Sequence, residues 1–373
     1  VTHRVSVSFL SVSVAIFALT GVSAARTWRV PSGIATIPAA IDSAAAGDTI
    51  LVAPGTYYVN LDTGGKYLVF LSEAGAEQTI LDGGHLDSVV KLTGSGVIEG
   101  FTIRNGRADD DGGGVYAGDR FVPSLPDGTI RNCVIEECTA GYYDHGAGGG
   151  VEVSVKGGTF TIDQCLIQDN YAGYTGGGVD AWTRVVVTRC TLLRNGCHVC
   201  GGGAASVDVI VGCIVADNWS DHGGAGLCGY IQVQHNTIVG NHTGNGVTPM
   251  GAGIYLGSSS AEVSNNLVAF NYGPAGSHTA VGIYGAAGGT FECNDSWGND
   301  GDNYSWDVTG STNVSKDPLL CDFDTGDYGL RSDSPCLADS TGCALIGALG
   351  VGCDAVPVER TTWGRLKTRY GND

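Results

Sequence analysis

Positive charge is what this sequence has least of. Nineteen Lys and Arg stand against 38 Asp and Glu, giving a formal net charge of −19 over 373 residues. No Lys or Arg occurs between Gly196 and Ser315. A surface this acidic excludes nucleic acid and anionic membranes as partners, since both are held through cationic contacts. Long apolar runs are missing too. The one candidate, residues 5–19, is short and interrupted by Ser, so no membrane span is expected. The 61 Gly show no Gly-X-Y period, which excludes collagen.

That short apolar run follows His3 and Arg4 and precedes the small residues Val22-Ser-Ala24. Residues 1–24 therefore read as a secretory signal peptide. Thirteen Cys fit the oxidising compartment that export implies, and the odd count leaves at least one thiol unpaired. The expected product is a monomeric protein, secreted or held at the cell surface.

What the chain does have is repetition. One phrase starts at 101, 133, 165, 190, 213, 236, 266 and 294: a small or polar residue, an apolar residue two on, and usually Asn five on. Clear copies are Cys165-Leu-Ile-Gln-Asp-Asn170, Cys213-Ile-Val-Ala-Asp-Asn218 and Asn266-Leu-Val-Ala-Phe-Asn271. A Gly-rich phrase keeps step with it at 112–114, 148–150, 176–178, 201–203, 223–226, 251–253 and Gly282. Fixed self-similarity with strand-sized apolar alternation makes each repeat one coil of an all-β solenoid. Regular coils are expected over about 97–298.

The flanks follow from the same logic. Thr36 caps an amphipathic helix with Pro38 in its first turn, Gly47 as its stop, and Ile37, Ile41, Ala44 and Ala45 on one face. Such a helix covers the open end of a first coil. The division is then a signal peptide (1–24), a β-helix with its N-terminal cap (25–300), an irregular Cys-containing closing segment (301–353) and a basic tail (354–373). In the tail, Arg360, Arg365, Lys367 and Arg369 surround Trp363, Leu366 and Tyr370, as an export or retention signal or as a cap for the last coil.

The opening segment Ile41-Asp-Ser-Ala-Ala-Ala-Gly-Asp-Thr-Ile-Leu-Val-Ala-Pro-Gly-Thr-Tyr57, the stretch Gly100-Phe-Thr-Ile103 and the Asn-bearing repeats resemble the right-handed parallel β-helix proteins of the pectate-lyase-like group. Asp317-Pro-Leu-Leu-Cys321, Ile346-Gly-Ala-Leu-Gly350 and Trp363-Gly-Arg-Leu-Lys367 are similar to endings in secreted bacterial β-helix proteins. The resemblance covers about residues 28–300 and implies the fold. That fold hosts lyases, hydrolases, epimerases and proteins without catalysis, so activity has to be argued from a site.

Three sets of side chains compete for that role. The first is structural: Asn170, Asn195, Asn218, Asn241, Asn271 and Asn299 stack at one position and hydrogen-bond along the axis. Cys133, Cys165, Cys190 and Cys213 also share a position, as small buried side chains or as disulfides between neighbouring coils. The second set is disulfide chemistry. Cys197, Cys200 and Cys228, around His198, suit a surface disulfide, with zinc the alternative; Cys321, Cys336, Cys343 and Cys353 suit two staples in the closing segment.

The third set follows the Gly-rich phrase. Val151, Val179, Ala204, Leu227, Ile254 and Ile283 point inward, so Tyr116, Glu152, Asp180, Ala205, Cys228, Tyr255 and Tyr284 form an outward column. Alternation adds Ser154, Lys156, Trp182 and Arg184, and places Glu152, Lys156, Asp180, Trp182 and Arg184 in one patch on a flat sheet. Two carboxylates about 5 Å apart match retaining glycosidases. A polysaccharide lyase would use Arg184 or Lys156 as base, with Glu152 and Asp180 as calcium ligands. The plain alternative is solvated charge. In the later coils, which lack Lys and Arg, such a centre would need His222, His235, His242 or His278. Asp144-His145-Gly146 and Asp221-His222-Gly223 resemble one polygalacturonase element, but its companions are absent. Asp109-Asp110-Asp111-Gly112 and the acidic run at 322–327 are calcium-binding or simply acidic turns. The expected function is non-catalytic binding or presentation to polysaccharide through Tyr116, Trp182, Tyr255 and Tyr284, the alternative being a lyase or glycosidase acting on uronate-containing glycans.

Overall fold

The structure, a computed structural model, describes residues 24–354 except 119–125, 143–144, 155–156, 183, 230–231, 245–250, 258, 275–281, 286, 306–307, 309, 311, 339 and 341. The signal peptide up to Ser23, Lys156, Asp144, His278 and all of the tail except Asp354 lie outside the described residues. Among the described residues no helix is long and apolar enough to cross a membrane.

The early coils turn through three short strands and the middle coils through four, and each strand pairs in parallel with its counterparts one coil away. One full turn is Val185–Thr188, Thr191–Leu193, Gly196–Cys197 and Ala204–Ala205, after which Val209–Val211 begins the next. Stacking yields four parallel sheets, numbered one to four in that order, of eleven, ten, six and nine described strands. The register holds without slippage, as in Val151↔Val179↔Ala204↔Leu227↔Ile254↔Ile283. Inward residues thus fall in files. Ile162, Val187, Ile210 and Val233 form one file, and Ile167, Leu192, Val215 and Ile238 another, all fully buried. The third sheet has strands of two residues, and its inward file is correspondingly small: Ala140, Ala172, Cys197 and Ser220.

The corners on either side of the second sheet hold this register. In each, a residue in the left-handed region precedes the repeated buried residue: Gln164, Arg189, Gly212, His235 and Asn265 at one corner, Asp169, Arg194, Asp217, Gly240 and Phe270 at the other. A non-Gly residue there costs about 1–2 kcal/mol. The buried amide that follows offsets the cost. Asn195 Nδ2 donates to Asn218 Oδ1 (3.1 Å) and to the Ile167 carbonyl (2.8 Å), while Asn218 Oδ1 also accepts the Asn195 backbone N–H (2.9 Å). The same pattern runs from Asn170 through Asn299, as the stacked-amide expectation requires. Cys138 takes the Asn position one coil earlier and donates its N–H to Asn170 Oδ1. At the other corner Cys133, Cys165, Cys190 and Cys213 remain buried thiols, not inter-coil disulfides. Asn236, Asn266 and Asn294 then continue that file, beginning with Cys213 N–H to Asn236 Oδ1 at 2.8 Å.

The cap is helix Ile37–Ser43, with the Thr36 hydroxyl accepting from Ala39 N–H and Pro38 in the first turn. It ends at Ala44 rather than at Gly47, and Ala40 is buried in place of the exposed Ala45. The far end departs further from expectation. Beyond the last regular coil, Tyr304 bridges to Ile283 and Val314 to Asp295. The chain then turns back, and strands Leu320–Asp322, Asp327–Arg331 and Val351–Cys353 form a separate small sheet. Tyr328, Leu330 and Ile346 from this segment bury Ala216, Val239, Leu267 and Ala269 on the outer face of the second sheet. Disulfides Cys293–Cys343 and Cys321–Cys353 fix it. Two staples do form, but one reaches back to the coils, and Cys336 stays a buried thiol against Asp295.

Replacing Asn218 by Ala removes the partner of the Asn195 N–H and of the Leu192 carbonyl contact, and leaves the Asn195 amide with only its bond to the Ile167 carbonyl. Asn218→Ala should lower the unfolding free energy by about 2–4 kcal/mol in chemical denaturation. A loss under about 1 kcal/mol would show that the amide stack does not hold the coils.

Candidate functional site

The outward column after the Gly-rich phrase exists as a row in register: Tyr116↔Glu152↔Asp180↔Ala205↔Cys228↔Tyr255↔Tyr284. It is not the open face that alternation predicts. Glu152 is fully buried and Asp180 is 3% exposed. The cause is the Gly-rich turn itself, which folds back over the strand it introduces. Gly148 and Gly176 are left-handed at φ +64°, and a Cβ on Gly176 would stand 2.5 Å from that of Asp180. Trp182 and Arg184 lie exposed beyond the end of strand Val179–Ala181. The carboxylates and Trp182 therefore do not share one flat patch.

Inside the turn both carboxylates have partners. The Thr175 hydroxyl donates to Asp180 Oδ2, Ala181 N–H to Asp180 Oδ1 (2.7 Å), and the Ser154 hydroxyl to Glu152 Oε1 (2.7 Å). Burial pushes the Asp180 carboxyl up to about 7, with the charge of Asp111 adding to the rise and the two donors opposing it. Calcium takes six to eight oxygens, whereas among the described residues no group of three or more His, Cys, Asp or Glu is placed to hold a metal. Asp111 Oδ1 accepts the Ala147 N–H, and Asp322 caps the turn Phe323–Thr325, so both acidic runs have structural work.

The four aromatic residues expected to bind sugar are dispersed. Tyr255 and Tyr284 stack with centroids 5.3 Å apart. Tyr116 lies five coils away, roughly 24 Å along the axis by strand spacing, and Trp182 stands alone at 72% exposure. The surface disulfide is Cys200–Cys228, which ties neighbouring coils. Cys197 points inward in the third sheet, where burial raises its thiol pKa, so Cys197 and Cys200 do not act as a pair.

A different row is continuous. The residue directly after each stacked Asn is Tyr171, Gly196, Trp219, His242 and Tyr272, and these align in register on the outer side of the third sheet. Tyr171 and Trp219 stack at 5.7 Å and 25°, His242 and Tyr272 at 5.0 Å and 5°. Gly196 permits the first pair. A Cβ there would fall 2.1 Å from the Trp219 indole, which leans across the glycine backbone. Tyr171, Trp219 and His242 are half-buried and Tyr272 is 48% exposed. The row spans four coil steps, about 19 Å. Its signal was present in the sequence, one residue past the Asn column.

Beside this row, His198 Nδ1 lies 2.8 Å from Asp221 Oδ2, and His222 meets the His198 ring edge-on at 5.1 Å. Of the other histidines, His235 contacts the Leu345 carbonyl, and burial holds His242 below its ordinary pKa.

Because the Asp180 carboxyl sits at about 7 in the fold against 3.8 ordinarily, the folded chain holds this proton more tightly than the unfolded chain. Stability from this group is complete below about pH 4 and falls as pH rises to about 7. The loss is on the order of 4 kcal/mol at 1.36 kcal/mol per unit. Asp180→Asn should flatten that slope in denaturation measured across this window. An unchanged slope would place the titration elsewhere.

No family model matches the chain, and no curated protein matches it. Among solved structures, the pectate lyase Pel9A is similar at 16% identity and a TM-score of 0.50, over 89% of this chain and 98% of that one. An alginate lyase of polysaccharide lyase family 6 is matched at 12% identity, over 88% of this chain and 58% of that one, with a TM-score of 0.29. A family 6 lyase specific for mannuronic acid, from the human gut microbiota, is matched at 12% identity over 75% of this chain and 82% of that one, with a TM-score of 0.28. At such identity the likeness concerns the fold alone. The chain has the pectate-lyase-like right-handed parallel β-helix fold, with a single N-terminal capping helix.

Proposed function

We propose that the chain is an exported, monomeric polysaccharide-binding protein that holds a glycan lengthwise along the third sheet. The observation that carries this reading is the aromatic row Tyr171, Trp219, His242 and Tyr272, in register over five coils with Gly196 between the first two rings. Rings fixed by a rigid scaffold offer apolar faces and edges to pyranose C–H groups at small entropic cost. Three disulfides agree with export, and the fold shared with a pectate lyase supports polysaccharide as the ligand class. Trp182 and the Tyr255–Tyr284 pair are secondary contacts in this reading, on the neighbouring face.

Cleavage of a uronate-containing glycan is the second reading. One observation favours it: Asp180, beside Glu152 in the ladder, has a carboxyl pushed into the neutral range where acid–base catalysts work. Arg184 would be the base; Lys156, the other basic residue expected for that role, lies outside the described residues. Against it, both carboxylates are enclosed by the Gly-rich turn. Release of unsaturated uronate from pectate or alginate, followed by ultraviolet absorbance with and without chelator, tests this reading and any calcium requirement. Activity lost in Asp180→Asn and Arg184→Ala would support it; activity retained in both would remove this site from consideration.

Binding is tested by affinity electrophoresis through gels containing polysaccharide. Each stacked ring contributes about 0.5–1.5 kcal/mol, so the Trp219→Ala/Tyr272→Ala double substitution should weaken retardation about tenfold or more. Trp182→Ala should have the smaller effect. If Trp182→Ala abolishes retardation while the double variant keeps it, the third-sheet row is not the binding face.

A further inference from the structure

We infer that the glycan held on the aromatic row is uncharged, rather than a polyuronate. This inference rests on the binding reading above and narrows it to a ligand class. Among the described residues the row supplies rings but no available cation. Gly196, Trp219, His242 and Tyr272 all fall in the stretch without Lys or Arg. The cation nearest in sequence, Arg194, is on the adjoining corner and is already engaged, its guanidinium making 2.8 and 2.7 Å contacts to Asp169. Arg107 stands in the same file, but two coils before Tyr171 and at the row's far end.

Carboxylates border the rings instead. Asp169 and Asp217 lie on the corner, Asp221 lies in the turn on the opposite side, and Asp300 follows one coil after Tyr272. A uronate carboxylate laid along this track would meet like charge on both flanks, on a chain whose net charge is −19. Like charges at this range repel, and the one corner cation described beside them, Arg194, is already spent on Asp169. Burial keeps His242 from supplying positive charge at neutral pH. The bordering carboxylates are also occupied: Asp169 by Arg194, Asp221 by His198, and Asp217 by the Tyr328 hydroxyl. The row therefore does not select a cationic amino-sugar polymer either. Ring stacking with neutral hydroxyl contacts is what the geometry leaves.

The test uses the full exported chain in affinity electrophoresis and equilibrium binding, at low and high salt. The probes are hydroxyethylcellulose, xylan and galactomannan as neutral glycans, polygalacturonate and alginate as polyuronates, and chitosan as the cationic one. The expected result is retention by at least one neutral glycan, unchanged by salt and lost in Trp219→Ala/Tyr272→Ala. Affinity for both polyuronates should be at least about tenfold lower. Retention by a polyuronate or chitosan that equals or exceeds the neutral glycans, and fades in high salt, would overturn this inference and leave polysaccharide binding standing. Retention by no glycan at all would overturn the binding reading with it.

Discussion

The coils stay in step because of what is buried at their corners. A left-handed residue turns the chain, and the next side chain, Asn or Cys, enters a file where its polar atoms are met from the adjacent coil. An amide suits the position because it has both donors and acceptors. One Oδ1 receives two N–H groups from the coil before, while its own Nδ2 reaches forward and to a backbone carbonyl. A thiol does part of this with weaker bonds, which is why Cys133 to Cys213 can occupy the file where Asn236 to Asn294 later stand. Every surface row inherits its alignment from these two files.

That dependence explains what could be read from the sequence. Corner residues are dictated locally, so the period of the Asn phrase and the coil it implies were legible without coordinates. The inward file Val151, Val179, Ala204, Leu227, Ile254 and Ile283 was legible for the same reason, since period-two alternation needs only the pleat. The partner column was identified correctly as a column and misread as a surface. Alternation tells which side of a strand a residue leaves, not what lies over that side. Here a turn built from Gly148 or Gly176 folds onto Glu152 or Asp180, a close approach open only to a residue with no Cβ. Gly-rich phrases signalled a turn; they did not announce its direction.

The aromatic row was hidden by a different limitation. Its members share a repeat position but not a residue type, and Gly196 interrupts them. In sequence that glycine reads as a gap; in the fold it is the space the Trp219 indole needs. The disulfides show a related limit. Cys200 and Cys228 stood among the candidates for the surface disulfide, whereas Cys293, the partner of Cys343, lies in the coils, outside the closing segment where both staples were expected.

The faces of the outer surface differ in what they carry, and the proposed binding row lies on the third sheet. From Val97 onward the first sheet presents Val97, Thr129, Thr161, Val186, Val209, Gln232, Glu262 and Thr290 in one file, with no ring among them. The second sheet is occupied over its later coils by the folded-back segment, held by the Cys293–Cys343 disulfide and by Gly347 N–H to Asn265. The fourth is overlaid by its own Gly-rich turns around Glu152 and Asp180. Among the described residues only the third combines two-residue strands, a small inward file and rings stacked outward in register. Its narrowness matters, because short strands bring both corners close to the rings and so place Asp169, Asp217 and Asp221 along the edges of the track. The amide files that set coil spacing thereby also set the pitch of the rings and the charge beside them.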